Sequence, residues 1–576
     1  MADLQDSPTQ PKPKRNWTDL SMEVRLLIAF LLMGLVLFLT PYIYKTPPAP
    51  APMPQKASTQ APIPTQPTAQ TTAPTSSAPV EPVAETGADK ETPFVIDTDL
   101  YRIRFSNRGA VVASWQLKKH LDHAGKPLEL VNVTAGGKAG QPFSIVFRGK
   151  TKPAFDPDQV LFAPTPTAGG LGIDYQYSDG KSVVRKSFQF KKSSYLSKVA
   201  SEVMVGGVPA PHLLAWRGGF GDAYGLNAQT TGHALFYDAP AAKLNTKVAK
   251  DAKDGVIKFT GNYTFAGLED MFFAAVFLPA NDATMELDGY SDTVKTPIEG
   301  KDEPRVGAAV GGEGVNQFAL FVGPKDVDLL ATIDPKLKQL IDWGWFKYIA
   351  QPLFLALNWT NDKVVHNYGW AIILVTIAIN ICLLPLRLSS MKSAKKMQAL
   401  QPQIAAINAR FKNVGLRDPK KAEQNQEVMD LYKKHGANPI GGCLPMLFQL
   451  PLIYAFYRVL TVTIEMRGAH WLWVMDLSQP ESLAIRVLPT IMIVTQFLVQ
   501  KMTPNPTVDP AQQKMMMLMP LAFGFFFYSQ PSGLVLYWLT GNLVGIVQQY
   551  AINRSMPAAP VPVAPKQIAK GKGTKK

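Results

Sequence analysis

WAIILVTIAINICLLPL, residues 370–386, is an apolar run without a single charge, and RLSSMKSAKK follows it at 387–396. About 17–25 apolar residues are what a helix needs to cross hydrocarbon. The run therefore reads as a membrane span that ends against a basic domain. Four further apolar segments follow: Leu444–Val462, Leu483–Val499, Met515–Tyr528 and Leu534–Ile552. The gap between the first two, Arg387–Lys434, carries eleven Lys or Arg against four acidic residues. A helical membrane bundle with a basic, cytoplasmic domain is the reading that joins these facts.

Composition agrees with a membrane protein that has a large soluble part. The chain has 576 residues and a formal net charge of +15, and its mean hydropathy is near zero. A chain made only of spans would be clearly positive. The excess charge sits in the 387–434 gap and in the tail, where Arg554 and five lysines meet no acid. The only cysteines, Cys382 and Cys443, lie in or beside apolar segments and read as small core residues. They offer neither a disulfide framework nor a metal-ligand spacing.

Toward the N-terminus, Leu26–Tyr44 follows four basic residues and ends in aromatics, which suits an uncleaved signal anchor, although cleavage within Pro47–Pro54 is the alternative. Thr46–Thr92 is rich in Pro, Ala, Thr, Ser and Gln, as an extended linker is. From Pro93 to Ile333 the pattern is that of strands. Tyr101, Ile103 and Phe105 alternate with arginines before an Asn107-Arg108-Gly109 turn; Phe188 and Phe190 flank Gln189; Phe318–Val322 is a short apolar run. The expectation is a large antiparallel sandwich. Its histidines, His120, His123, His212 and His233, have no carboxylate at a telling spacing and read as structural.

In Pro335–Asn358 the residues Leu337, Leu340, Ile341, Trp345, Tyr348 and Ile349 recur at helical spacing, which predicts one amphipathic helix at the membrane interface. In the basic gap, Met397, Leu400, Ile404, Ile407 and Phe411 form a heptad seam on a helix starting near Ser390. Asp418-Pro419 restarts the chain for a second helix ending at Gly436. This is a helical hairpin. Its charge serves either as a solvated, orientation-setting face or as a docking surface, with Lys392, Lys395, Lys396, Arg410 and Lys412 as candidates for ribosome or nascent-chain contact.

The fold class expected is a multidomain membrane protein: an α-helical transmembrane bundle of six spans, a large extracytoplasmic β-sandwich and a cytoplasmic helical hairpin. The divisions fall at 1–25 (cytoplasmic), 26–44 (anchor), 45–92 (linker), 93–333 (sandwich), 334–362 (interfacial helix), 366–386 (second span) and 387–440 (hairpin). They continue at 441–462 (third span), 463–482 (outer loop), 483–501 (fourth), 502–513 (inner loop), 514–529 (fifth, short), 533–553 (sixth) and 554–576 (basic tail). Both termini lie inside under this reading, and every loop obeys the bias of Lys and Arg toward the cytoplasm.

A set of motifs then narrows the reading. Asn438-Pro439-Ile440-Gly441-Gly442-Cys443-Leu444-Pro445, Gln449-Leu450-Pro451, Asp509-Pro510-x-Gln512-Gln513-Lys514, Met519-Pro520 and Pro531-Ser532-Gly533-Leu534-Val535-Leu536-Tyr537-Trp538 occur in order. Together they resemble the YidC/Oxa/Albino family of membrane protein insertases, in its Gram-negative form. The resemblance spans the chain, with the shared core at about 346–554. It implies a protein of the bacterial inner membrane that inserts and folds nascent membrane proteins, alone or with the Sec translocon. No nucleotide or metal is implied, and no DNA is expected; ribosome and anionic lipid are expected partners of the hairpin and tail because of their basic charge. The outer domain resembles the family's mutarotase-like sandwich, without that enzyme activity.

The resemblance also implies two surfaces. A hydrophilic groove, open to cytoplasm and lipid, receives polar parts of a substrate and maps onto Thr376 and Asn380. An apolar slide maps onto Leu450, Pro451 and Ile453, and onto Phe523, Phe525, Phe526 and Phe527, with Met515, Met516, Met517 and Met519 as adaptable neighbours. A groove that crosses half the bilayer shortens the dry path for a polar tail. Burial of the new helix, at roughly 25 cal/mol per Å², then drives insertion. The family position five before the span-ending proline is commonly arginine, whereas here five before Pro385 stands Asn380. Hydration rather than fixed charge is then the expected groove property, or else Asn380 bonds to Gln449, Gln496, Asn542, Gln548 or Gln549 and merely packs. Two other functions are open to such a chain: a secondary transporter needs internal repeats and ionisable groups in its spans, and a tethered carbohydrate enzyme needs a carboxylate–histidine constellation in 93–333.

Overall fold

A computed structural model describes residues 84–122, 124–222, 232–280, 284–295, 302–312, 314–411, 418, 420–437, 439–503 and 510–555, without side chains at 136, 138, 421, 439–447 and 510–516. The expected anchor, most of the linker, His123, Lys412, the inner loop at 504–509 and the tail from 556 lie outside these residues. The end of the linker is held by the sandwich: Thr86 bridges Ser178, Glu91 pairs with Arg108 at 3.0 Å, and the Thr92 N–H donates to Asn107.

The β-rich half forms three antiparallel sheets among the described residues. The largest runs Lys243–Lys247, His233–Asp238, Tyr263–Glu269, Phe273–Pro279, Asn316–Pro324, Leu196–Val205, Ser182–Gln189, Gly172–Ser178 and Ala163–Pro166, with Val208–Pro209 paired off this path. A five-stranded sheet runs Ile257–Gly261, Met285–Lys295, Asp302–Gly312, His212–Trp216 and Ser144–Val146. A four-stranded one is a meander of Pro93–Asp97, Tyr101–Ser106, Val111–Leu121 and Pro127–Glu129. Tyr101, Ile103 and Phe105 all point inward, as their alternation requires. They join Trp115, Phe143, Phe188 and Trp216 in a core of tilted and edge-on rings.

One buried charge organises this core. Lys186 is 1% exposed, and its ammonium donates to the carbonyls of Gly109 at 2.6 Å and Phe143 at 2.7 Å. Ala110 and Phe143 both have positive φ, 49° and 71°, which non-glycine residues adopt at a cost. The lysine ties those two turns together, which is why a charge is kept where an apolar residue would pack.

The helical half begins with α1, Val327–Ile333, whose N-cap Asp326 accepts from two backbone N–H groups. The single helix expected over Pro335–Asn358 is divided instead. Pro335–Leu340 is a 3-10 turn, and α2 is Lys347–Thr360. Gly344, at φ 69°, breaks the run. The stripe splits accordingly: Leu337, Leu340 and Ile341 are buried in the core, while Trp345, Tyr348 and Ile349 are exposed. Spacing alone cannot see a break that rotates the face.

Then come α3 (Tyr368–Cys382), α4 (Leu384–Ala399), α5 (Gln401–Arg410), α6 (Lys420–Lys434), α7 (Pro439–Val462), α8 (Val487–Met502), α9 (Pro510–Phe527) and α10 (Ser532–Ser555). Asn367 caps α3 by accepting from Gly369 and Trp370. Helix α10 is the centre of the half, touching α3, α7 and α8. Among the described residues no single helix is long and apolar enough to cross a membrane. One pair passes together, Lys347–Val365 with Tyr368–Cys382, bent by 115°. Helices α7 and α10 have 24 residues each, about 36 Å at 1.5 Å per residue; polar and small residues interrupt the apolarity of α10, while the described side chains of α7, from Phe448 to Val462, form a shorter apolar stretch. Cys382, expected in the core, is exposed.

Helices α5 and α6 pair antiparallel, Arg410 with Glu427 at 2.7 Å and Asn408 with Gln424 at 2.6 Å. Of the expected seam, Met397, Leu400 and Ile404 pack with Ala437, Val428, Leu431 and Tyr432, while Ile407 and Phe411 stand outside that cluster. The long helix predicted from Ser390 instead begins at Leu384 and is divided at Leu400, ahead of Pro402.

Candidate functional site

Thr376 and Asn380 lie one turn apart on α3, but their surroundings differ. Thr376 is fully buried, and its hydroxyl donates to the Ile372 carbonyl at 2.6 Å. Asn380 is half-buried and donates from Nδ2 to the Thr376 carbonyl at 2.8 Å. Of the five partners considered for Asn380, Gln548 on α10 is the one that reaches it, donating to its backbone carbonyl at 3.3 Å. The others are engaged with each other's neighbours. Asn542 donates to Thr495, Gln496 accepts from Trp538, Gln449 donates to Tyr537, and Gln549 donates to Asn553.

A residue not singled out from the sequence completes this row. Arg387, half-buried on the first turn of α4, donates to Gln548 Oε1 at 2.8 Å. Leu383 joins α3 to α4, and its carbonyl accepts the Arg387 N–H at 3.0 Å. Arg387 follows Asn380 by seven positions, and Gln548 reaches both of them. The glycine at 545 makes room for it: a Cβ there would stand 2.9 Å from the guanidinium. Among the described residues no carboxylate pairs with Arg387. In sequence Arg387 stands at the head of the basic gap, so no local signal sets it apart from the lysines that follow.

The apolar candidates separate into packed and open ones. Leu450, Pro451 and Ile453 on α7 are half-buried. Phe527 is 2% exposed and stands 4.8 Å, centroid to centroid, from Trp538; Phe523 is half-buried at 5.7 Å from the same ring. Phe525 and Phe526 are 87% and 58% exposed, with Met517, Leu518 and Leu521 beside them. The open apolar face of α9 is therefore carried by Phe525 and Phe526, while Phe523 and Phe527 bind α9 to α10. The side chains of Met515 and Met516 lie outside the described residues. Of the basic candidates, Lys392 is exposed, Lys396 donates to the Gly436 carbonyl, Arg410 is paired with Glu427, and Lys395 reaches the Ile552 carbonyl.

In the sandwich, His212 is structural. Its ring sits between Ser201 Oγ at 2.8 Å, Asn316 Nδ2 at 3.1 Å and the Ala210 carbonyl at 2.9 Å, and burial pushes its pKa down to about 4. His120 packs edge-on against Phe273 and is pushed down to about 4 by the same cause. His233 does gain a carboxylate, Glu269 at 3.5 Å, through the strand register that sets the two opposite each other. Glu269 is already held by Lys325 at 3.1 Å, so the group is a structural ion cluster. Two adjoining clefts, of about 140 and 540 Å³, share Arg104 and Gln141 in their walls; neither is lined by histidine. The carboxylate–histidine constellation of a sugar enzyme is not assembled in them.

Comparison with known proteins gives this architecture its context. A family described as YidC periplasmic domain matches residues 94–356, and one described as 60Kd inner membrane protein matches 359–559. The chain is 34% identical over 558 residues to the membrane protein insertase YidC of Geotalea daltonii, spanning 93% of this chain and 100% of that one. It is 33% identical over 493 residues to the YidC insertase of Ralstonia nicotianae, spanning 82% and 85%. A crystal structure of an active YidC insertase is 21% identical, covers 82% of this chain and 95% of that one, and superposes with a TM-score of 0.35. Matched in both halves, and a third identical to relatives along nearly its whole length, the chain belongs to the YidC family of membrane protein insertases.

Proposed function

We propose that this chain inserts and folds other membrane proteins in the bacterial inner membrane, with no chemical reaction of its own. The observation that carries the proposal is the seam between α3 and α10. Asn380 and Gln548 form a polar row there between two largely apolar helices, and Ile381, Leu543 and Val547, next to them in sequence, are exposed. Polar groups placed so among spans are costly unless they serve a purpose. The row offers hydrogen bonds to the polar tail of a substrate, and Thr376, packed shut, marks its closed outer end. The exposed rings of Phe525 and Phe526, with Leu450, Pro451 and Ile453, offer the substrate's apolar helix a greasy path.

In this reading six spans cross the membrane with both termini cytoplasmic, the sandwich is periplasmic, and the α5–α6 pair is a cytoplasmic hairpin. Nascent membrane proteins are the clients; the Sec translocon, ribosome and anionic lipid are the proposed partners. Neither α7 nor α10 is uniformly apolar, and the bent α2–α3 pair lies partly along the interface, so the bilayer thins where the half is short. Such thinning lowers the barrier that a polar tail meets. The test is to reconstitute the full chain in vesicles and add a single-span protein with a short polar tail. Protease protection of the tail that depends on the chain is expected. Protection equal to that of empty vesicles contradicts the proposal.

A further inference from the structure

We infer that the loop between α7 and α8, residues 463–486, is a foot set into the outer leaflet, with Leu472, Trp473, Met475 and Ile485 as its lipid-contacting side chains. The inference rests on the topology proposed above, which puts this loop on the outer side, and adds to it a lipid surface as the loop's partner.

The exposure pattern of this loop is inverted for a segment in water. Its five charged side chains, Glu465, Arg467, Asp476, Glu481 and Arg486, are all half-buried or buried. Arg467 pairs with Asp222 at 2.6 Å, Asp476 accepts from the Ser478 N–H and hydroxyl, and Arg486 lies 5.0 Å from the centre of the Tyr528 ring and donates to the Tyr528 carbonyl. Leu472, Trp473, Met475, Leu483 and Ile485 are the exposed ones, and Leu472, Met475 and Ile485 are 61%, 73% and 72% exposed. Apolar residues exposed singly are ordinary; five in one loop that has no fully exposed charge are not.

The tip is also built to hold this pose. Trp471 and Val474 exchange two backbone hydrogen bonds, both 2.8 Å, which close a hairpin turn on Leu472 and Trp473. Leu472 has φ 48°, at the first central position, where tight hairpins favour glycine. A leucine is kept there against its backbone preference. The Trp473 indole N–H donates to Glu481 Oε1 at 2.6 Å, and Glu481 Oε2 accepts the Leu488 N–H at 2.8 Å. One buried carboxylate therefore holds both the indole and the first turn of α8.

Another protein surface is the competing occupant, and continuity favours lipid. Buried Trp471 lies edge-on to Trp370, ring centres 5.6 Å apart, and Trp370 is exposed on the first turn of α3. On the other side the loop runs into α8, where Ile491 and Val494 are exposed. The foot thus joins the starts of two membrane helices, at the depth where indole rings gather. Because Arg467 of the same loop is paired with the sandwich, a foot in the leaflet also fixes how the sandwich stands on the membrane.

The experiment uses the full chain in vesicles of phosphatidylethanolamine and phosphatidylglycerol. Cys382→Ser and Cys443→Ser remove the only cysteines, and an environment-sensitive fluorophore is attached at Leu472→Cys, at Met475→Cys or, as the water-exposed reference in the sandwich, at Val208→Cys. Lipids spin-labelled high on the acyl chain should quench the probes at 472 and 475 several-fold more than iodide present on both sides, and the probe at 208 should show the reverse. Leu472→Asn, which accepts the left-handed backbone and so preserves the turn, should raise iodide quenching at 475 several-fold while the unfolding midpoint in detergent stays unchanged. Probes at 472 and 475 that behave like the one at 208 overturn the inference. Shielding from both quenchers also overturns it, by making a protein the occupant, and so does iodide quenching at 475 that Leu472→Asn leaves unmoved. Insertion of a single-span protein by the wild-type chain is measured in the same vesicles: its failure counts against the proposed function, whereas failure of the quenching pattern alone counts against the foot.

Discussion

Arg467 and Asp222 meet at 2.6 Å across the boundary between the helical half and the sandwich, with side chains 9% and 12% exposed. Arg467 belongs to the loop between α7 and α8. Its guanidinium also donates to the Leu121 carbonyl and lies 5.3 Å from the centre of the Phe273 ring. The Asp222 N–H is in turn held by Asp270, whose carboxyl burial pushes up to about 6. The same loop caps the start of α10, where Gly533 and Ser532 donate to the carbonyls of Leu477 and Gln479. The sandwich therefore grips the loop that fixes the start of the central helix.

That grip has a measurable coupling. Removing one partner leaves the other charge poorly solvated, which costs about 2–3 kcal/mol for a pair this covered. Asp222→Ala and Arg467→Ala should each lower the unfolding midpoint of the full chain in detergent, and the double variant should be little worse than either single one. Strictly additive losses would mean that the pair contributes nothing as a pair.

Acid should weaken the sandwich through His212. Its ordinary pKa of 6.5 applies in the unfolded chain, and its folded value is near 4. Between those limits the unfolded chain binds more protons, so stability falls as pH falls from 6.5 toward 4. The loss from this residue is about 2 kcal/mol at pH 5. His120 adds in the same direction. His212→Gln, which keeps a hydrogen-bonding group without titration, should flatten the decline between pH 7 and 5; an unchanged slope would show that His212 protonates freely in the fold.

Lys186→Met should be among the most damaging single changes in the sandwich. It strands the carbonyls of Gly109 and Phe143 in the core and releases two positive-φ turns, at a cost of about 3 kcal/mol or more. Thermal unfolding of the full chain checks it. A loss under about 1 kcal/mol would mean that the methionine packs as well as the ammonium bonds.

The aromatic residues of α9 should divide by role. Phe527→Ala removes a ring packed against Trp538 and should cost about 3 kcal/mol of stability. Phe525→Ala and Phe526→Ala should leave stability within about 0.5 kcal/mol while reducing substrate crosslinking to α9. Matching stability losses at all three would erase the distinction between packed and open faces.

Which parts of this could be read from the sequence follows from the range of the signal. Tyr101, Ile103 and Phe105 alternate within one strand, so a local pattern fixed their inward face. The seam of Met397, Leu400 and Ile404 was likewise local, and it packs as spaced. The Pro335–Asn358 stripe misled because Gly344 turns the chain between Ile341 and Trp345. His233 and Glu269 are brought together by strand register, which no spacing rule reveals. Phe523 and Phe527 share an aromatic run with Phe525 and Phe526, and only the position of Trp538 tells the packed pair from the open one. Arg387 was masked by its neighbours: following Pro385 and preceding five lysines and arginines up to Lys412, it read as the start of the basic gap although Gln548 joins it to Asn380.

The central claim is that a substrate meets a wet row and a greasy face at once. Photocrosslinking probes at Asn380 and at Leu450, in the full chain presented with a ribosome-stalled single-span protein, test it most directly. The account predicts crosslinks from Asn380 to the polar tail and from Leu450 to the apolar helix of the same substrate. Absence of substrate crosslinks at both positions, with the stalled chain bound elsewhere, would contradict it.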